Sequence, residues 1–371
     1  MLGLGHPALC ACLDSASQNS FASGKLLGQL EFLNEGPVEM DTAFGNELDG
    51  RLYTSLASLN ETELVTPPER FYVRTRASRL LPKPETWMIG VDGLVAEPRK
   101  LEITELEAEA RGLGLHLMEC AGNTRAAHFG MISVGDWAGI PISAILTSPK
   151  PKPSATQVLV SGFDRYVASS VTSTPGASWI FKLDDLLSSN AFLATQLDSK
   201  PLPRDHGAPI RLVVPGWYGC SCIKWVDRIS LLDDSAESTS QMLEYATRTH
   251  QKGSPRLAKD FLAARIDHAA MPIRVEKWFV GEKIRYRIVG LLWGGSRPIK
   301  TLGIRCNPEE DYVAVDSLPA AQTAPWTLWS HGWAPAAQGT YTIRLAIKDP
   351  ELHPKRLESG YYARSVEITE V

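Results

Sequence analysis

The order of apolar and polar residues divides this chain into stretches of different texture. Residues 1 to about 60 are rich in Ser, Gly, Leu and Asn and keep no sustained period, so they read as an extension lying across the main domain. From Glu69 the pattern turns to strand, with Phe71-Tyr72-Val73-Arg74 first and, beyond a proline-bearing loop at Leu80 to Pro84, Trp87 to Gly93. Ile103 to Ala110 sets Leu106 and Ala110 four apart, the spacing of one helix face. Val158-Leu159-Val160 is an apolar run ending in a polar turn at Asp164, and Pro209 to Pro215 is β-branched and apolar, as a buried strand should be. Ser238 to His250 predicts a helix carrying Met242, Tyr245 and Ala246. Strands and short helices are mixed without strict alternation, which predicts an α+β domain rather than a doubly wound sheet.

Near Lys252 to Arg256 the pattern changes to a period of two. Lys283 to Ile288, Tyr341 to Ile347 and Ser365 to Val371 all alternate. In the middle run Tyr341, Ile343, Leu345 and Ile347 share one face, with Thr342, Arg344, Ala346 and Lys348 on the other. Repeated between Gly and Pro turns, this predicts a β-sandwich of about a hundred residues. The expected organisation is an extension at 1–60, a mixed α+β domain at 61–252 and a sandwich at 253–371.

Composition narrows the classes of function. A chain of 371 residues is long enough for two domains, and 44% hydrophobic with 22% charged residues is ordinary for a soluble protein. A net charge of −4 offers no general attraction for phosphate backbones, and there is no Lys/Arg run. No segment approaches the roughly 20 apolar residues of a membrane span. The expectation is a soluble protein with no nucleic-acid or membrane partner. Met1 to Asn19 lacks the cationic start and apolar core of a secretory signal, so the expected location is cytoplasmic, or periplasmic if an export leader is missing. Gly3-x-Gly5-x-x-Ala8 mimics a dinucleotide fingerprint but follows no strand and is set aside.

The chemistry concentrates around Cys120. The run His116 to Glu119 ends in this cysteine, and Ala121-Gly122-Asn123 suits a tight turn. A thiol at the end of a strand can point into a cleft, where a thiolate is a ligand for soft metals, and Arg125 follows five residues later. The same cysteine also suits a core as a small hydrophobe. The remaining cysteines do not make a disulfide scaffold. Cys10-x-Cys12 and Cys220-x-Cys222 have the form of two halves of a zinc site, but the first pair lies in a segment with little sign of fixed structure.

Cys120-Ala-Gly-Asn-x-Arg125 resembles the molybdenum-binding signature of the sulfite oxidase family. Two further stretches carry the same resemblance: Phe71-Tyr72-Val73-Arg74 upstream, and Arg204 to Trp217 with Lys224-Trp225 downstream. The similarity runs from about Phe71 to the C-terminus. The resemblance implies an α+β molybdopterin-binding catalytic domain at 61–252 and an immunoglobulin-like domain at 253–371 that pairs subunits into a homodimer. It implies a molybdenum–molybdopterin cofactor, with Cys120 as the metal's protein ligand, and an oxygen-atom transfer that turns sulfite into sulfate. Arg74 and Arg125 match the family's anion-binding arginines, since a guanidinium fork meets two oxygens at once; each is equally a residue for a structural ion pair. Trp137 and Tyr245 fall where the family lines its substrate site, although Tyr245 also suits a helix core. Arg364 matches a further arginine contributed by the second domain.

For the pterin, the resemblance points to His206, Arg211, Lys224 and Asp164, with backbone contacts from Tyr72, Val73, Thr75, Arg76, Cys222 and Ile223. One departure stands out: where the family commonly has Arg-Asn-His, this chain has Arg74-Thr75-Arg76. No haem domain and no Cys-x-x-Cys-His occurs, so no haem is expected and electrons must leave to an external acceptor such as a cytochrome c or oxygen. A reductase of a sulfoxide, N-oxide or nitrate, or a non-catalytic cofactor-binding homologue, is the alternative.

Overall fold

Short apolar blocks separated by turn residues make strands, and strands dominate this chain. The computed structural model describes residues 11–12, 21–43, 50–163, 177–320, 322 and 324–371. Asp164 and the Gly3-to-Ala8 stretch lie outside them, as does Cys10. The described helices are short, the longest of them Ile103–Glu109, so the first domain is more sheet than the mixed pattern predicts. No helix is long and apolar enough to cross a membrane among the described residues.

The chain divides into two compact units, and not where the change of texture puts the boundary. One unit comprises Val38–Ser55 and Glu63–Ile266; the other comprises Met1–Pro37, Leu56–Thr62 and Asp267–Val371. Residues 253–266 stay with the first unit because backbone bonds hold them there: Tyr218 N donates to Ala264 O (2.9 Å) and Ile266 N to Gly216 O (2.8 Å). The expected N-terminal extension is shared out. Leu52 and Val73 exchange backbone hydrogen bonds within the first unit, while Lys25–Leu30 pairs antiparallel with Ala269–Val280 in the second.

Two larger sheets build most of the first unit, beside a two-stranded pair of Asp41–Ala43 with Gly50–Leu52. In one, Val226–Leu232 lies between Gln157–Gly162, antiparallel, and Met88–Gly93, parallel; Ser178–Lys182 and Arg99–Glu102 form the edges. In the other, Ile132–Pro141 lies between Arg111–Glu119 and Phe192–Leu197, which also pairs with Arg211–Val213. The latter three-residue strand is all that forms from the apolar run Pro209 to Pro215. Ile140, Leu193, Ala194 and Leu212 are fully buried here. Gly139 is required by the close approach of two strands, since a Cβ there would sit against the Leu193 carbonyl oxygen.

Two local expectations change. Phe71 to Arg74 is not a strand: Pro67-Pro68 opens a 3-10 turn over Pro68–Arg70, and only Val73 keeps a bridge. Ser238 to His250 is a helix only over Ser240–Tyr245, followed by a 3-10 turn at Thr247–Thr249 that ends on His250 with φ 60°. Thr239 fixes the start, its Oγ1 accepting from Met242 N at 3.2 Å.

In the second unit, Lys283–Trp293 lies between Ala269–Val280 and Trp326–Ala334, and a smaller sheet joins Leu302–Arg305, Gly339–Ile347 and Arg364–Ile368. Tyr341, Ile343 and Leu345 are buried as the alternation requires. Trp333 links the two sheets, meeting Tyr341 edge-on with centroids 5.0 Å apart, and Tyr286 on its own sheet lies 5.8 Å from it.

Candidate active site

Cys120 stands one residue past the end of strand Arg111–Glu119. Its own N donates to Met131 O (2.9 Å), and Asn123 N donates back to Cys120 O (2.9 Å), closing a tight turn. Asn123 is fully buried and holds that turn from inside: its Oδ1 accepts from Met131 N at 3.0 Å. The Gly122 amide points at the Cys120 Sγ from 3.4 Å. Burial pushes the Cys120 thiol above its ordinary value, against the opposing pull of the Arg74 guanidinium, the Gly122 amide and Arg248. A buried thiol with cations beside it becomes a thiolate when a metal takes the place of the proton.

Cys120 opens onto a partly open cleft. Its walls include eleven of the expected site residues: Tyr72, Val73, Arg74, Thr75, Cys120, His206, Arg211, Cys222, Ile223, Lys224 and Tyr245. Besides the Cys120 turn and Cys222 to Lys224, three segments supply them. The loop after Pro68–Arg70 is propped by the buried Arg51, whose guanidinium donates to the Arg74 carbonyl at 2.5 Å. The Arg204–His206 turn and the strand Arg211–Val213 supply the cationic wall. The capped helix Ser240–Tyr245 supplies Tyr245, whose phenol is pushed well up by burial and then by Cys120.

On the cationic wall two buried atoms have no hydrogen-bond partner among the described residues, His206 Nδ1 and Arg211 Nε. His206 Nε2 sits 3.0 Å from Phe71 O and must carry the ring proton to bond a carbonyl, which leaves Nδ1 a bare acceptor. Burial drives this imidazole's pKa down to about 4, so the ring is neutral near pH 7. Arg211 spends its other nitrogens on His206 O (2.9 Å) and Cys222 O (3.1 Å). Lys224 Nζ donates to Asp205 O at 2.9 Å and to Thr75 O. Burial and then Arg211 push its ammonium well below the ordinary lysine value, with Asp205 opposing. An acceptor and a donor left unmet beside a cation fit a ligand with a polar heterocyclic edge and negative charge.

Other expected residues stand elsewhere. Arg76, at the departure from the family pattern, is held by Asp41 and Asp205 and is not on the cleft wall. Its charge is spent inside the protein, since Asp205 also accepts from the Ala77 amide at 2.7 Å. Trp137 is buried behind the wall, with the Arg211 guanidinium 5.5 Å above its ring. Arg125 opens the 3-10 turn Arg125–Ala127 beyond the Cys120 turn and does not line the cleft. Arg364 belongs to the second unit, buried, its guanidinium bound by Glu35, its NH1 donating to Pro272 O at 3.0 Å.

Two residues near the thiol escape sequence reading. Tyr53 lies close enough for Arg74 and Cys120 to act on its phenol, yet it sits in the stretch read as an extension. Arg248 acts on the Cys120 thiol from the turn after the helix, with its guanidinium 5.4 Å from the Tyr245 ring centroid. Its spacing of three from Tyr245 is the one sequence signal that marks it.

A family model described as the oxidoreductase molybdopterin binding domain matches residues 77–240. Chicken (Gallus gallus) sulfite oxidase is 24% identical over 302 residues, covering 74% of this chain and 64% of its own. The protein-methionine-sulfoxide reductase catalytic subunit MsrP of Gluconobacter oxydans is 30% identical over 186 residues, 47% of this chain and 57% of its own. A nitrate reductase [NADPH] of Fusarium oxysporum is 26% identical over 201 residues, 49% of this chain and 22% of its own. The chain thus spans less than two thirds of the length of each of these relatives. Among solved structures, the sulfane dehydrogenase SoxCD from Paracoccus pantotrophus superposes with a TM-score of 0.64 at 17% identity, over 86% of this chain and 84% of that one, a likeness of fold.

Proposed function

We propose, for a chain that belongs to the sulfite oxidase family of molybdenum-dependent oxidoreductases, that the Cys120 cleft binds molybdenum–molybdopterin and oxidises sulfite to sulfate, passing electrons to an external acceptor such as a cytochrome c or oxygen. When bound, the molybdenum centre supplies two-electron oxygen-atom transfer. The observation that carries the reading is the division of the cleft into two chemistries. One side offers a buried thiol with the Arg74 guanidinium acting on it. The other offers the unmet His206 Nδ1 and Arg211 Nε.

Each residue then has a physical task. Cys120 would hold the metal as thiolate, a strong charge donor. His206 and Arg211 would take the pterin's polar edge, and Lys224 its negative end, so that cofactor binding satisfies groups that burial has already deprived of water. Arg74 would orient the sulfite dianion, and Tyr245 would donate its hydroxyl proton in a hydrogen bond to a substrate oxygen without ionising. The same proposal takes the two-sheet unit as an immunoglobulin-like pairing domain and the protein as a homodimer.

The test is to purify the protein, measure molybdenum per chain, and add sulfite with ferricyanide or cytochrome c. Near-stoichiometric metal with sulfite-dependent reduction of the acceptor supports the reading; metal-free protein that stays inert after cofactor loading sinks it. The 30% identity to MsrP favours a second reading, reduction of a sulfoxide. Methionine sulfoxide with a reduced dye is its assay, and turnover there without turnover of sulfite would replace the first reading with the second.

A further inference from the structure

We infer that Arg248 is a second cation beside the Cys120 turn and the residue that makes the site select a doubly charged oxyanion; this rests on the cleft being a sulfite site. An atom placed as a Cβ on Gly122 would lie 3.5 Å from Arg248 Nη1 and 3.8 Å from Cys120 Sγ. The guanidinium and the thiol therefore face one small space above a glycine, the space a substrate at a Cys120-held metal would enter. Gly122 has no side chain to fill it.

The position is fixed from below. Arg248 rides the 3-10 turn Thr247–Thr249, and Thr249, buried, donates its hydroxyl to Tyr245 O at 2.9 Å. The guanidinium lies 5.4 Å from the Tyr245 ring centroid, so the ring limits its swing and both groups present to the same place. Arg74 lines the Cys120 cleft from a different segment of the chain, so an anion bound beside the thiol would have a second guanidinium fork within the same site.

Charge balance supports the assignment. Two carboxylate residues, Asp205 and Glu244, appear on the described cleft wall. Asp205 is already engaged by Arg76 and the Ala77 amide. Glu244 comes four residues before Arg248 on the same helix and turn. A neutral sulfoxide needs no second cation, so Arg248 separates the two classes of substrate.

The experiment compares the native holoenzyme with Arg248→Gln and Arg248→Lys in three readouts: sulfite kinetics, sulfate binding by calorimetry, and a melting curve. Arg248→Gln is expected to raise the sulfite KM and the sulfate Kd by roughly tenfold to a hundredfold, the loss of one charge-assisted hydrogen bond. Its kcat falls less, and its melting temperature stays unchanged because the side chain is exposed. Arg248→Lys, which keeps the charge and loses the fork, falls between the two. If the native enzyme oxidises sulfite and binds sulfate while Arg248→Gln does both equally well, the inference about Arg248 is wrong and the sulfite reading stands. If the native holoenzyme neither oxidises sulfite nor binds sulfate, the sulfite reading fails and takes this inference with it.

Discussion

At the scale of single residues the cleft works by burial. His206 is 4% exposed, and its pKa of about 4 lies below the 6.5 it would have in an unfolded chain. A depressed histidine favours the fold above pH 6.5, and that contribution is lost as pH falls towards 4, because the unfolded chain takes up a proton that the native imidazole refuses. The expected loss over that window is on the order of 3 kcal/mol. Melting temperatures measured from pH 7 to pH 4 should fall accordingly, and His206→Gln should flatten the slope. A variant that keeps the full slope would show that another group titrates. Cys120→Ser should leave the fold intact, since a hydroxyl accepts from the Gly122 amide as the sulfur does. It should abolish sulfite oxidation and alter the metal's absorption, the hydroxyl being the poorer donor; turnover at the native rate would remove Cys120 from the metal.

At the scale of elements, what was legible depended on how local the signal is. The strand ending at Cys120 and the alternation of Tyr341, Ile343 and Leu345 are written in adjacent residues. The strand Lys25–Leu30 is not, because all six of its residues are at least partly exposed and no period betrays it; its partner lies far along the chain. Arg248 was illegible for a related reason, as its nearness to Gly122 arises only when the turn after the helix packs against the Cys120 turn. Arg76 reads as an alarming exchange in sequence, and Asp41 and Asp205 make it a structural cation. Glycines are the least legible of all. Gly139→Ala should cost about 1–3 kcal/mol, at the upper end of that range, because the new methyl meets backbone rather than a side chain that can turn away. A melting curve within a degree of native would mean that the two strands separate more easily than their spacing implies.

For the whole molecule, a net charge of −4 is the wrong sign for drawing in a dianion, so attraction must come from the cationic mouth alone. Raising ionic strength should therefore raise the sulfite KM, with steady-state kinetics across a salt series as the check. The proposed homodimer predicts a light-scattering mass of twice the chain at micromolar concentration, and a monomeric mass would withdraw the pairing role from the two-sheet unit.

The pairing of Lys25–Leu30 with Ala269–Val280 also sets an order in time. Leu30 meets Val275, so during synthesis the early strand leaves the ribosome long before its partner exists. At roughly 5–20 residues per second that wait lasts on the order of tens of seconds, with the backbone groups that Lys25–Leu30 later pairs left without their partner strand. Residues 63–266 can begin to collapse meanwhile, and the unit that holds both Lys25 and Val371 can only be completed last. The nascent chain therefore carries an unmatched strand until Ala269–Val280 has been made, a stage at which a chaperone could shield its open edge.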